Sequence, residues 1–143
     1  MMIQNPIFRG FNPDPCVCRK GADYYVAVST FEWLPGIPVY HSKDLKNWEL
    51  YTHIFTEPEQ MNLKRLPSAK GVWAPRLTYC EEEELFYVVY GIMNSMNARY
   101  FDVDNYVITS KDIKGPWSEP VYLHSANISS ISTKGLSKSF RKN

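Results

Sequence analysis

One carboxylate is enclosed by two prolines in the stretch Asn12-Pro13-Asp14-Pro15. Proline fixes its own φ near about −65° and moves the preceding residue toward extended conformations, so we expect Asp14 to be extended and to have little backbone freedom. Strand-like residues follow at 16–19 and 23–30. An acid held stiffly at the mouth of a strand suits a general base, which must lie within hydrogen-bond reach of its target. The same pattern suits a turn cap, because aspartate beside proline often closes a turn.

The elements that would position Asp14 are two groups of short strands. They are predicted at residues 16–19, 23–30, 37–42 and 48–54, and again at 75–80, 85–93 and 105–110, with a last strand formed by Trp117 and residues 121–123. Lys20-Gly21-Ala22 and the acidic residues 81–84 are predicted to be hairpin turns. Residues 55–70 are predicted to be a loop with at most one helical turn, and residues 94–104 a polar excursion.

One sequence pattern occurs in both groups of strands. Ser42-Lys43-Asp44-Leu45-Lys46-x-Trp48 recurs as Ser110-Lys111-Asp112-Ile113-Lys114-x-x-Trp117, and Pro15 and Pro75 each open a group. Repeated four-stranded antiparallel modules are typical of β-propellers, with one blade per repeat. The repeat therefore predicts an all-β fold that is part of a β-propeller.

Composition limits the classes of partner. The chain has 143 residues, which fits one domain or part of a larger one. Its formal net charge of +1 gives no reason to expect nucleic acid or an anionic membrane as a partner. Aromatic residues make up 15% of the chain, which suits strands and equally suits sugar binding through flat aromatic faces.

The amino terminus does not indicate secretion, and the cysteines and histidines do not indicate a metal site. Residues 1–6 show no basic region followed by an apolar region, and no apolar run reaches the roughly 18 residues of a transmembrane helix. Cys16, Cys18 and Cys80 are interpreted as free thiols in a reducing compartment, because zinc sites use four ligands at recognisable spacings. The histidines have no such spacing, and the repeats supply no oxygen cluster for calcium. We expect a cytoplasmic protein with no metal and no cofactor.

Six motifs, in this order, resemble the start of a family 43 glycoside hydrolase, and most closely its β-xylosidase branch. They are Asn5-Pro6-Ile7, Gly10-Phe11-Asn12-Pro13-Asp14-Pro15, Tyr24-Tyr25, Ser29-Thr30-Phe31-Glu32-Trp33, Tyr40-His41-Ser42-Lys43-Asp44-Leu45-Lys46-Asn47-Trp48 and Gly71-Val72-Trp73-Ala74-Pro75. The resemblance implies a five-bladed β-propeller, of which this chain would hold the first two blades. It also implies an inverting enzyme that cuts β-1,4-xylosides, with xylo-oligosaccharides or arabinoxylan-derived sugars as substrates.

The resemblance implies roles for three residues. Asp14 matches the family's general base, which activates water against the anomeric carbon, and Phe31 and Trp73 match aromatic residues that wall the sugar pocket. Asp14 and Trp73 both begin a repeat, so both are expected to point toward the propeller axis. Trp73 would equally fill the core between blades, as large aromatic residues often do. Trp33 and Arg76 stand beside the motif positions and receive no role.

The carboxyl-terminal residues depart from the family pattern. Beyond Glu119 the sequence contains no Asp or Glu, and it becomes rich in serine and lysine. We divide the chain into residues 1–125, the two blades, and residues 126–143, a divergent tail that is disordered or translated out of frame. The family's general-acid Glu and pKa-tuning Asp are absent, so we expect the isolated chain to fold poorly and to have little or no turnover.

Two other functions stay open beside the xylosidase. One is a non-catalytic remnant or weak sugar-binding module that uses Phe31, Trp33 and Trp73. The other is an α-L-arabinofuranosidase, which some members of the resembled family also are.

Overall fold

A computed structural model of the protein describes residues 3–61, 63–97 and 100–123. This part of the chain contains the strands β1 (Cys16–Lys20), β2 (Asp23–Ala27), β3 (Gly36–Ser42), β4 (Glu49–Phe55), β5 (Gly71–Cys80), β6 (Leu85–Asn97), β7 (Tyr100–Ser110) and β8 (Val121–Tyr122), with a 3-10 turn at Pro58–Gln60. None of its helices is long and apolar enough to cross a membrane. The predicted tail, residues 126–143, lies outside the described residues.

The strands form two sheets of the same topology. One has the strand order β1-β2-β3-β4 and the other β5-β6-β7-β8, and every neighbouring pair is antiparallel. Lys20 pairs with Asp23 across the first hairpin turn, and the exposed residues 81–84 turn β5 into β6. The predicted pair of four-stranded modules is therefore confirmed.

The bounds of two strands near Asp14 differ from the prediction. β2 ends at Ala27 rather than at Thr30, because the Ser29 amide bonds the carbonyl of Pro13 and Phe31 then pairs with Val72 of the second sheet. β5 begins at Gly71 and not at Pro75, which lies inside the strand. A β-bulge between Trp73 and Arg76 accommodates this proline, which has no N–H to donate to the ladder.

The second sheet is also longer than predicted. β6 runs to Asn97 and β7 begins at Tyr100, so most of the predicted polar excursion is an extended antiparallel ladder. Its backbone groups pair across the two strands whatever the polarity of the side chains, which the alternation pattern does not register. Trp117, predicted to start the last strand, lies outside β8.

A single hydrophobic core joins the two sheets. β1 and β2 lie against β5, and aromatic side chains meet across the interface. The ring of Tyr25 contacts Phe86 edge-on at 5.7 Å, and the ring of Phe55 contacts Tyr90 at 5.1 Å. Leu77 and Phe86 are 2% and 1% exposed. The sheets therefore pack as neighbouring blades, and the first strands of the two are held side by side.

The repeated sequence pattern forms the same turn twice. Ser42, at the end of β3, accepts a hydrogen bond at its Oγ from the Asp44 amide at 3.1 Å, and Ser110, at the end of β7, accepts one from the Asp112 amide at 3.2 Å. Each aspartate then accepts from the amide two residues further on. Such local Ser and Asp bonds are what favour turns after a strand. The sequence repeat is thus a structural repeat.

The segment before β1 is anchored on the first sheet through contacts with Tyr40 and Trp48. The ring of Phe8 lies 4.3 Å from the ring of Tyr40 and 5.6 Å from that of Trp48. The Tyr40 hydroxyl donates to Asn12 Oδ1 at 2.9 Å. These contacts fix the chain up to the residue before Pro13, and so determine where Asp14 enters the fold.

Candidate active site

Asp14 is an exposed carboxylate directly in front of β1. Its φ is +52°, so the expectation of an extended backbone before Pro15 was wrong. Aspartate is among the few residues other than glycine that adopt this left-handed region with some frequency. Such a conformation persists only where the surrounding structure determines it, and strained residues of this kind cluster at functional sites.

Ser29 is the residue that holds the Asp14 carboxylate. Its Oγ donates to Asp14 Oδ2 at 2.7 Å and accepts the amide N–H of Ala74 at 2.7 Å. Its own amide donates to the carbonyl of Pro13 at 3.0 Å. Ser29 is 0% exposed. Two bonds therefore join Ser29 to the segment around Asp14, and a third joins it to the second sheet.

The predicted aromatic residues lie together beside this carboxylate anchor. The ring centroids of Phe31 and Trp73 are 5.2 Å apart, and Phe11 meets Phe31 edge-on at 5.2 Å. Both Phe31 and Trp73 are half-buried, so neither is a residue of the core, and Lys70 Nζ lies 5.9 Å from the centre of the Trp73 ring. Phe31 and Trp73 thus contact each other, and Ser29 links the Asp14 carboxylate to Ala74, the residue after Trp73. The roles of Asp14, Phe31 and Trp73 stay predictions.

A small bridge between the sheets holds the two aromatic residues. The Phe31 amide donates to the Val72 carbonyl at 3.0 Å, and the Val72 amide donates to the Phe31 carbonyl at 2.9 Å. Gly71 has a φ of +106°, and a Cβ at that position would lie 2.4 Å from the Phe31 carbonyl oxygen. Only glycine allows the two backbones to approach this closely. Phe31 itself has a φ of +54°.

Glu32 fastens the turn after Phe31 to the long loop before β5. Its Oε1 accepts hydrogen bonds from the Ala69 amide and from the Ser68 hydroxyl, both at 3.1 Å. The bond from the Ala69 amide is the main cause that lowers the pKa of Glu32 below its usual value. Glu32 is therefore ionised at neutral pH and acts as a structural tether.

Sequence reasoning gave no role to Ser29 or to Glu32. A signal for Ser29 was present, since a serine that ends an apolar run of strand residues requires a buried partner. Glu32 carried no comparable signal, because its partners lie in a loop without a pattern. Trp33, named for the alternative sugar-binding role, is 66% exposed and lies next to the site in sequence, and Arg76 is exposed on β5.

Cys18 and His41 have neighbours that assign them structural positions. Burial, with the nearby Cys16 sulfur, raises the pKa of Cys18 to about 11, so that thiol stays protonated. His41 Nε2 lies 2.7 Å from Asp23 Oδ1, between Tyr25 and Tyr51. Over the residues that the structure describes, no group of three or more His, Cys, Asp or Glu side chains is placed to hold a metal ion.

Two antiparallel four-stranded blades, with Asp14 directly in front of β1 and Trp73 near the start of β5, define the class of the β-propellers. The profile of the glycosyl hydrolases family 43 matches residues 3–135, and the chain belongs to this family. The match includes residues outside the described part, so the predicted boundary at residue 125 stays a prediction.

Individual relatives agree with this assignment. A beta-xylosidase of Bacillus subtilis is 46% identical over 126 residues, which are 88% of this chain and 23% of that protein. A non-reducing end alpha-L-arabinofuranosidase of Bacteroides ovatus is 44% identical over 125 residues, or 85% of this chain and 22% of that protein. The crystal structure of a xylan beta-1,4-xylosidase from Bacillus halodurans superposes with a TM-score of 0.81 at 44% identity, over 87% of this chain and 23% of that chain. The chain spans under a quarter of each, and its two sheets are blades of the family's propeller.

Proposed function

We propose that this chain supplies the general-base half of an inverting β-xylosidase that acts on xylo-oligosaccharides or arabinoxylan-derived sugars. The observation that carries the proposal is the Asp14 carboxylate. Ser29 donates to its Oδ2 at 2.7 Å, and Asp14 is exposed, so the carboxylate is held in place and still reaches solvent water. A base must meet the water that it deprotonates in this way.

The chemistry assigned to Asp14 is the activation of one water molecule. Asp14 takes a proton from the water, the water oxygen bonds to the anomeric carbon, and the bond from that carbon to the leaving oxygen breaks. A second carboxyl group, about 6.5–9.5 Å from the first, gives a proton to the leaving oxygen. Phe31 and Trp73 offer the apolar faces on which the sugar ring stacks.

The second carboxyl group is not Glu32, although Glu32 lies next to Phe31. A general acid in a glycosidase needs a raised pKa so that it keeps its proton until the leaving oxygen takes it. The Ala69 amide shifts the pKa of Glu32 in the opposite direction. We therefore assign the acid to a part of the protein other than the described residues.

Two alternatives have support of their own. The 44% identity to an alpha-L-arabinofuranosidase favours an α-L-arabinofuranoside as substrate. The presence of one suitable carboxylate among the described residues favours a sugar-binding module without turnover, in which Phe31, Trp33 and Trp73 bind the ring.

The test uses the 143-residue chain and a chimera in which residues 3–123 replace the matching segment of the Bacillus subtilis beta-xylosidase. Both are assayed on an aryl β-xyloside and an aryl α-L-arabinofuranoside. We expect the chimera to prefer the xyloside, Asp14→Asn to lower its kcat by about 10²–10⁴-fold, and the chain alone to be inactive.

Each other outcome selects another function. Preference for the arabinofuranoside identifies the arabinofuranosidase. A chimera whose turnover does not change with Asp14→Asn contradicts the base assignment, and an inactive chimera that still binds xylobiose identifies the sugar-binding module. The free thiols of Cys16, Cys18 and Cys80 support the proposed cytoplasmic location, which cell fractionation with an antibody to the chain tests.

A further inference from the structure

The hydroxyl of Ser29 has its hydrogen-bond direction fixed by its neighbours. An amide N–H only donates, so the bond from the Ala74 amide makes Ser29 Oγ an acceptor there. The single hydroxyl proton is then directed to Asp14 Oδ2, at 2.7 Å. Ser29 itself is fully buried, so water does not reach its side of either bond.

We propose that Ser29 is a positioning residue that decides which oxygen of Asp14 acts as the base. With Oδ2 occupied by the Ser29 hydroxyl, Oδ1 is the oxygen that receives the proton of the attacking water. This inference rests on the proposed role of Asp14 as general base.

Asp14 needs such an anchor because its side chain is otherwise loosely held. The carboxylate is exposed, and the terminal torsion of aspartate has a broad energy profile, so its plane rotates easily. Displacement of a catalytic group by about 1 Å costs about 10²-fold in rate. One charge-assisted hydrogen bond from a buried donor restricts that rotation.

The anchor reaches across the blade interface. The Ala74 amide is free to bond Ser29 because the bulge between Trp73 and Arg76 takes it out of the pairing with β6. Ala74 has a φ of +45°, the left-handed region again. The same bulge presents Trp73 to the site. The backbone geometry of the second blade therefore sets the orientation of the base in the first blade. The same geometry also sets the position of Trp73 in the aromatic wall.

The experiment compares Ser29→Ala with Ser42→Ala in the chimera. Ser42 is the matched control, since it is also buried and its hydroxyl also bonds a backbone amide and a carboxylate, but at the end of β3. We expect Ser29→Ala to lower kcat by about 10- to 100-fold with KM changed by less than about twofold, and Ser42→Ala to change neither. Ser29→Thr keeps a hydroxyl and is expected to restore most of kcat.

Two results overturn the inference. If Ser29→Ala and Ser42→Ala lower kcat equally, or if Ser29→Ala raises KM instead of lowering kcat, Ser29 has only a structural role. Failure of the proposed function appears differently, as wild-type chimera activity that is absent or unaffected by Asp14→Asn. In that case the 13C carboxyl resonance of Asp14 in the 143-residue chain decides: an unchanged resonance in Ser29→Ala shows that Ser29 does not hold the carboxylate.

Discussion

Gly71→Ala is the substitution that we expect to destabilise the fold most clearly, because the added Cβ has no room. A Cβ at residue 71 would lie 2.4 Å from the carbonyl oxygen and 2.6 Å from the carbonyl carbon of Phe31, which are backbone atoms that no rotamer change moves away. Relief of the clash separates Phe31 from Val72 and breaks both hydrogen bonds of their bridge, at about 1 kcal/mol each. The φ of +106° adds about 1–3 kcal/mol of backbone strain for alanine. We expect this region to lose about 3–5 kcal/mol of stability.

The assay for Gly71→Ala is urea inactivation of the chimera, with Gly21→Ala as the control. Gly21 also has a positive φ, +58°, but a Cβ there meets nothing within 4 Å, so its cost is the backbone term alone, about 1–2 kcal/mol. Gly71→Ala should therefore shift the inactivation midpoint further and raise KM, because Phe31 moves away from Trp73. Equal shifts for the two variants would refute the argument from the close approach.

Three further outcomes follow from the fold. The hydrogen bond with His41 lowers the pKa of Asp23, and backbone amides lower the pKa values of Glu32 and Asp44. Because these carboxylates are more acidic in the folded state, they stabilise the fold above a pH of about 4, and this stability is lost as the pH falls further. Thermal unfolding midpoints at pH 7, 5 and 3 measure the loss. Phe86→Ala should lower the free energy of unfolding in urea by about 3–5 kcal/mol, because Phe86 is buried. Phe101→Ala should lower it by less than about 0.5 kcal/mol, because Phe101 is 63% exposed, and equal losses would contradict the assigned core. Glu32→Gln should speed hydrogen exchange of the Ala69 amide, because it weakens the hydrogen bond from this amide to the Glu32 side chain. An unchanged exchange rate would show that this bond does not hold the loop.

The sequence alone predicted the repeat and the hairpins, which depend on local turn chemistry and on alternating apolar residues that a single chain displays. The roles of Asp14, Phe31 and Trp73 came instead from the resemblance to the family and stay predictions. What it did not predict depends on contacts between the blades. The positive φ values of Asp14 and Phe31 belong to residues that are not glycine, and nothing in their own identity requires them.

Ser29 shows why the supporting residues of the site escaped prediction. The type and spacing of its neighbours indicate a buried polar group but not its partner, since the Ala74 amide is 45 positions away and is available only because of a bulge. The proline inside β5 is the sequence feature behind that bulge, although the sequence pattern predicts a strand that begins there. A proline within an otherwise continuous strand pattern should be interpreted as a bulge, and the amide beside it as a donor free for another use.

The two copies of the turn pattern offer a last test, because they share their first hydrogen bonds but differ in how many further bonds the aspartate accepts. Asp44 accepts hydrogen bonds from the amides of Lys46 and Asn47 and from the Asn47 side chain, whereas the extra residue in the second copy leaves Asp112 with the Lys114 amide. Asp44→Ala should therefore lower the thermal midpoint more than Asp112→Ala does. Differential scanning fluorimetry of the two variants measures the difference. Equal falls in the two midpoints would contradict this expectation. They would show that the number of hydrogen bonds that each aspartate accepts does not determine how much its turn stabilises the fold.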